Sequence, residues 1–356
     1  MSKLHTSFQI GSVTLPNRVL MAPLTRMRAF HQRTVGDLQV EHYSQRATAG
    51  LIFTEATSVS PMGVGYPDTP GIWSDEQVAG WKRVTDAVHA AGGHMAVQLW
   101  HVGRISDPEL LGGQLPVAPS AIAPQGQVAV LRPKRDYTVP RALETEEIAP
   151  IVQDFVQAAR NAKAAGFDFI EVHAANGYLF DQFLHDGSNQ RTDQYGGSIE
   201  NRARFLLETV DALLQEWPAE RVGVHLNPMS NNHSMSDSNP VALFTYVAEQ
   251  LQARQIGFIF SREEVKDGVL PIGQYIRQVF QGTLIANDGF SAEQAEAVVA
   301  SGAADAVAFG RAFIANPDLP ARLAQGAAWN ELNASTIYSP DATGYNDYPP
   351  LPSSGS

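Results

Sequence analysis

A chain of 356 residues with 44% hydrophobic content can build one large barrel or two ordinary domains. Its net charge of −12, with 25 Lys and Arg residues scattered along the chain, offers no surface built for polyanions, so no nucleic-acid partner is expected. The count of zero cysteines excludes disulfides, thiol nucleophiles, thiolate zinc sites and cysteine-held iron–sulfur clusters, and any redox chemistry needs another carrier. In chain order, the opening "MSKLHTSFQIGSVTLPNRV" lacks the apolar run of a signal peptide, and no later segment reaches the length of a membrane span. A cytoplasmic protein with no membrane partner, monomeric or homodimeric, is the expectation.

Eight apolar, β-rich runs follow: "VLMAPLT", "LIFTEATSV", "HMAVQLW", "FDFIEVHAA", "RVGVHLNP", "IGFIFSRE", "TLIANDGF" and "ADAVAFGR". Each is apolar on both faces, the pattern of strands buried on both sides. Helical patterns alternate with them, among them "DEQVAGWKRVTDAVHAAG", "ETEEIAPIVQDFVQAARNAKAAG", "SIENRARFLLETVDALLQEW" and "SAEQAEAVVASG", several opened by a capping residue and closed by Gly. The alternation predicts an α/β fold, a single (β/α)8 TIM barrel, since closing eight parallel strands leaves no exposed edge. A doubly wound sheet is the alternative. It wants a G-x-G-x-x-G turn after the first strand, and "MAPLTRMRA" has none. Residues 112–143, rich in Pro and Gly, fall after the third strand and predict an inserted loop or hairpin. The barrel domain is expected over 1–345, and the tail over 346–356 is expected to be disordered.

A barrel of this kind carries its chemistry at the C-terminal ends of its strands. The first ends in Pro23, Leu24 and Thr25, the second in Thr54, Glu55 and Ala56, and the third in Gln98, Trp100 and His101. The fourth ends in His173 and Asn176, the fifth offers His225 and Asn227, and the last two run into Asn287, Asp288, Gly289 and into Gly310, Arg311. No lysine stands at these ends, which argues against Schiff-base chemistry. No His and carboxylate cluster completes a cage, so no metal is expected. What remains is a set of neutral hydrogen-bonding groups beside glycines that can cradle a phosphate, with Arg311 as a cation. That points to a phosphorylated cofactor that carries the chemistry itself.

Long stretches of the chain, "LPNRVLMAPLTRMRA", "QLWHVGRIS", "HAANGYLFDQFLHDGSNQRTDQYGG", "GSIENRARFLLE", "DAVAFGRAFIANPDLPARL" and "GYNDYP", resemble the old yellow enzymes, the FMN-dependent ene-reductases. The resemblance implies hydride transfer from NADPH or NADH through bound FMN to the β-carbon of an activated alkene: an α,β-unsaturated carbonyl, a maleimide or a nitroalkene. It implies that His173 and Asn176 donate to the substrate oxygen and that Tyr178 protonates the α-carbon. It places Pro23, Leu24, Thr25, Ala56 and Gln98 around the flavin ring, with Asn287, Gly289, Gly310 and Arg311 toward the phosphate. Tyr66, Trp100 and Tyr338 match positions that shape the substrate pocket.

Two positions depart from the family pattern. His225 stands where the family has an arginine over flavin N1 and O2, and Asp288 stands where the phosphate loop has glycine. With an ordinary imidazole pKa of about 6.5, His225 would make stabilisation of the reduced flavin depend on pH. Two other functions stay open on these departures: an FMN barrel that isomerises or dehydrogenates one metabolite, and a non-enzymatic barrel that binds a small molecule.

Overall fold

The computed structural model describes residues 2–229 and 231–352. Eight parallel strands form its centre: β1 Val19–Met21, β2 Ile52–Phe53, β3 Met95–Trp100, β4 Phe169–Ala174, β5 Val222–Leu226, β6 Phe258–Arg262, β7 Thr283–Asn287 and β8 Ala306–Phe309. Each pairs with the next. Pairing of Val19 with Val307 between β1 and β8, and of Ile52 with Met95 between β2 and β3, closes the ring. The barrel expected from the alternation is therefore the fold, and all eight predicted runs supply a strand.

The second run is broken. After β2 the chain leaves the ladder at 54–56 and rejoins β3 at Thr57 and Ser58. Thr54 Oγ1 accepts the Gln98 amide at 3.1 Å, so a side chain takes over a ladder contact and Ala56 is left at the mouth of the barrel. The long helices begin where the sequence caps them. The helices α1 Asp75–Ala90 and α3 Ala292–Ala300 open with Ser74 and Ser291 in capping boxes, and α2 Ile199–Leu213 opens on Ser198. Between strands and helices lies one continuous apolar layer that includes Val97, Val172, Ile259 and Phe155, and inside the barrel lies another that includes Phe53, Phe169, Phe258 and Phe260. Gly223 makes room for the inner layer, because a Cβ there would meet the Phe258 ring at 2.1 Å.

Three features add to this pattern: an N-terminal hairpin, the pairing inside the insertion expected over 112–143, and the order of the tail. An antiparallel hairpin, Phe8–Ile10 with Val13–Leu15, closes the N-terminal end of the barrel and buries Phe8, Ile10, Val13 and Leu15 against the inner layer. In the insertion the two ends, Val117–Ala118 and Arg141–Ala142, pair in parallel, while Gln127 and Asp136 form an antiparallel bridge within it. The third is the tail. Disorder over 346–356 does not hold for 346–352: Asn346 Nδ2 donates to the Leu38 carbonyl at 3.1 Å, Arg322 donates to the Pro349 carbonyl at 2.9 Å, and the Leu351 amide donates to Asp318 at 2.6 Å. Residues 353–356 lie outside the described residues. Polar partners on the barrel order this segment where its own composition would not.

Ahead of the tail, Tyr345 is fully buried, stacks on His42 at 3.8 Å between centroids, and lies under the guanidinium groups of Arg26 and Arg28 at 4.8 and 4.4 Å. Those arginines, from the "TRMRA" run after β1, also donate to the carbonyls of Thr336, Ile337, Asp341, Thr343 and Gly344. Tyr345→Ala should therefore cost on the order of 3–5 kcal/mol, the scale for losing a buried aromatic side chain. Urea unfolding followed by circular dichroism measures it, and a loss below about 1 kcal/mol would show that the arginines hold the segment without the ring.

Candidate active site

The register of the sheet builds the site. His173 on β4 pairs with His225 on β5, so both imidazoles leave neighbouring strands on the same face, and their centroids stack 5.1 Å apart at 15°. Trp100 lies on the other side of His173 at 6.4 Å and 17°, and Tyr66 stacks on Trp100 at 5.5 Å. This row of four rings forms one wall. Tyr178 meets it edge-on, 5.0 Å from His173 and 5.1 Å from Trp100, with its hydroxyl 2.8 Å from that of Tyr66.

Asn176 and Tyr178 reach the site through a tight turn. Asn176 has φ +57° and Gly177 φ +81°, both left-handed, and Asn is among the few side chains that tolerate this region. Glycine is needed next, since a Cβ at 177 would lie 2.8 Å from His233 Cβ. Asp181 accepts the Gly177 amide at 2.8 Å, Gln182 donates to the Gly177 carbonyl at 2.8 Å, and His233 Nδ1 donates to the Asn176 carbonyl at 2.7 Å. The turn is held at each of these points.

Two adjoining cavities open here. The smaller, about 80 Å³, is lined by Pro23, Thr25, Ala56, Gln98, Trp100, His173, Asn176, Tyr178 and His225. The larger, about 500 Å³, shares Pro23, Asn176 and His225 and continues past Leu24 and Arg262 to Asn287, Asp288, Gly289, Gly310 and Arg311. Every residue expected to hold the cofactor thus lines one cavity or the other. Of the expected substrate residues, Trp100 lines the smaller cavity and Tyr66 touches it through Tyr178. Tyr338 lines neither; it is 53% exposed and near enough to Tyr178 for an electrostatic interaction.

Burial keeps the imidazoles of the site uncharged. It lowers His173 to about 3, with Arg262 adding to the effect, and it lowers His225 well below the usual imidazole value, helped by His173 and Arg262. The titration expected of His225 near neutral pH is therefore absent, because its ring has no water around it to stabilise a charge. Gln98 Nε2 donates both to His225 Nδ1 at 2.9 Å and to Glu171 Oε2 at 2.8 Å, which leaves the His225 proton on Nε2. Glu171, unforeseen in the sequence, is fully buried and pushed up by desolvation to about 8, so it too is largely neutral at pH 7. Burial raises the Tyr178 phenol, which stays protonated.

The residues fit a flavin mononucleotide. The buried nitrogens His173 Nδ1, His225 Nε2 and Trp100 Nε1 have no hydrogen-bond partner among the described residues, which suits a ring that brings its own donors and acceptors. Gly289 has φ +68° with open space around a Cβ, so its backbone is accessible at the end of the large cavity where Arg311 stands. One group opposes the fit. Asp288 puts a carboxylate at that end and has φ +113°, a strained value for a residue with a Cβ, although Arg262 lies 3.4 Å from it. Arg262 itself is the site residue that strand-end reasoning can find and that the family pattern does not mark: it is the last residue of β6 and lines the large cavity.

Neutral donors, an aromatic wall and a loop end that carries Arg311 are features that suit a flavin-dependent oxidoreductase. The family model described as NADH:flavin oxidoreductase / NADH oxidase matches residues 3–330. The chain is 45% identical over 367 residues to putative 12-oxophytodienoate reductase 4 of Oryza sativa subsp. japonica, covering 97% of this chain and 92% of that protein. It is 44% identical over 347 residues to a probable flavin mononucleotide-dependent alkene reductase of Leishmania infantum, covering 96% and 95%. Among solved structures, morphinone reductase in complex with tetrahydroNAD superposes with a TM-score of 0.94 at 50% identity over 99% of this chain and 98% of that one. The old yellow enzyme homologue from Zymomonas mobilis gives 0.94 at 42% identity over 98% and 99%. The chain belongs to the NADH:flavin oxidoreductase / NADH oxidase family, the old yellow enzymes. It is an FMN-dependent oxidoreductase that reduces activated C=C bonds with hydride from NAD(P)H.

Asp288→Gly restores the residue the family places in this loop. It should raise the melting temperature of the cofactor-free protein, since a strained φ stores on the order of 1–3 kcal/mol, and should tighten FMN by roughly tenfold, about 1.4 kcal/mol. Calorimetry and flavin-fluorescence quenching measure the two, and unchanged melting with weaker FMN would show that the carboxylate supports the site.

Proposed function

We propose that His173 and Asn176 bind and polarise the oxygen of an activated alkene and that Tyr178 delivers the proton that completes its reduction. The observation that carries this reading is the convergence of all three on the 80 Å³ cavity, with His173 Nδ1 buried and without a hydrogen-bond partner among the described residues. Bound FMN would supply the hydride chemistry, taking hydride from NADPH or NADH and giving it to the β-carbon. Thr25, Ala56 and Gln98 border the space for its ring, and Asn287, Gly289, Gly310 and Arg311 the space for its ribityl phosphate.

Each residue's part follows from its surroundings. A neutral His173 offers an N–H without a charge, and stacking between Trp100 and His225 holds its plane, so little reorganisation is needed as negative charge builds on the substrate oxygen. Asn176 offers the second donor. The Tyr178 hydroxyl, hydrogen-bonded to Tyr66, keeps its proton until carbanion character develops beside it. The apolar wall keeps out water, which strengthens each of these interactions. Enones, maleimides and nitroalkenes share the required feature: an electron-withdrawing oxygen conjugated to the double bond.

His173→Ala or Asn176→Ala should slow alkene reduction by about 10²-fold, the scale for losing one oxyanion donor, with stopped-flow reoxidation by cyclohexenone as the measurement. Tyr178→Phe should leave flavin reduction by NADPH intact and slow only reoxidation; equal loss in both half-reactions would make Tyr178 a packing residue. With His173 neutral down to far below pH 6 and Tyr178 protonated above its usual range, the reoxidation rate should show no step from either group between about pH 6 and 9, an interval that takes in the ordinary His value and stops short of the ordinary Tyr value, with Glu171, near 8, the group left to titrate there. A step near pH 6.5 would assign a charged imidazole to the reaction.

A further inference from the structure

We propose that Arg262 is a positioning residue for this reaction: it locks the side-chain amide of Asn176 with its oxygen turned toward Arg262 and its NH2 left for the smaller cavity, and it sets a positive charge beside the amide oxygen. The geometry begins with Asn176 Oδ1, which accepts two hydrogen bonds, one from Asn227 Nδ2 at 2.7 Å and one from Arg262 Nη1 at 3.1 Å. A pair of amides alone does not fix its own direction, because both can reverse together and still bond. A guanidinium removes that freedom. It has donors and no acceptor, so the atom of Asn176 that faces it has to be the oxygen. The amino group is then the end left for the cavity that Asn176 shares with His173 and Tyr178.

Placement of Arg262 is itself specified. It ends β6 in register with Asn287, and its Nε lies 3.4 Å from Asp288 Oδ2, so the guanidinium is held between Asp288 on one side and Asn176 on the other. This gives the strained Asp288 a use. A charge-assisted bond to the amide oxygen withdraws electron density from the amide and makes its N–H groups better donors, and two donors on one oxygen reinforce each other. His225, which stands where the family pattern has arginine, is neutral, so in this chain a cation at the site comes from the neighbouring strand. It acts through Asn176.

The inference rests on the reading of His173 and Asn176 as donors to the substrate oxygen, and the test separates the two. FMN-loaded wild type, Arg262→Met, Arg262→Lys, Arg262→Gln, Asn176→Ala, His173→Ala and the Asn176→Ala/Arg262→Met double variant are titrated with 4-chlorophenol, following the long-wavelength band that a phenolate gives on oxidised flavin. The flavin spectrum of each variant reports that the fold and cofactor are retained. Arg262→Met should weaken the phenol by roughly tenfold, the scale of a hydrogen bond to a charged group, and should add nothing in the Asn176→Ala background. Lysine, a donor without an acceptor, should restore binding to within about threefold of wild type, whereas glutamine, which lets the amides reverse, should not. Wild-type binding in Arg262→Met, full additivity in the double variant, or equal behaviour of Lys and Gln would each overturn the role of Arg262 while leaving the donor reading intact. Unchanged phenol binding in both Asn176→Ala and His173→Ala would overturn the donor reading, and the role of Arg262 with it.

Discussion

The parallel pairing of β4 with β5 is the constraint on which the active site depends. In a parallel ladder, paired residues leave the sheet on the same side, and a register that matches Val172 with Val224 necessarily sets His173 beside His225. Once two imidazoles are stacked inside the mouth of a barrel, the rest follows from burial. Water is excluded, the charged forms are disfavoured, and both rings become neutral hydrogen-bonding plates instead of titrating bases. A shift of one of these strands by one residue would turn its ring out into the helix layer and break the pair.

Rigid parts then supply what the strands cannot. Asn176 and Tyr178 stand beyond the end of β4 on a turn with two left-handed residues, and Asp181, Gln182 and His233 satisfy its backbone, so the chemistry is carried by a loop with the precision of a strand. The C-terminal segment is clamped in a comparable way. Arg26 and Arg28 spend their donors on its carbonyls, and Tyr345 fills the space between them and His42. Buried arginines that bond carbonyls keep their hydrogen bonds without needing a buried anion for each, and the charge cost of their burial is spread over several peptide dipoles.

Charge at the flavin end is distributed differently from what the family pattern leads one to expect. The cation is absent from β5 and present on β6, and a carboxylate faces it from the loop after β7. The guanidinium bonds Asn176 at 3.1 Å and lies 3.4 Å from the carboxylate. The neutral Glu171 and His225 beneath, linked through Gln98, make the floor of the site polar without making it charged.

Apolar runs of the right length, separated by capped helical patterns, pointed to the barrel, since closing eight such strands leaves no exposed edge and the missing G-x-G-x-x-G turn spoke against a doubly wound sheet. Strand-end positions likewise determined His173, His225, Gln98, Gly289 and Gly310 as candidates, because in this architecture chemistry gathers at one end. The N-terminal hairpin was not legible, being too short to show a period, and the order of the tail over 346–352 was not, because its partners Leu38, Asp318 and Arg322 are distant in sequence. What the tertiary structure alone decided is electrostatic. A histidine's ordinary pKa belongs to water, and only the packed site shows that His225 lies where it cannot hold a proton's charge. Likewise a sequence lists Asn176, Arg262 and Asp288 over a span of more than a hundred positions without their contacts, and only folding brings a guanidinium against the one oxygen it can bond.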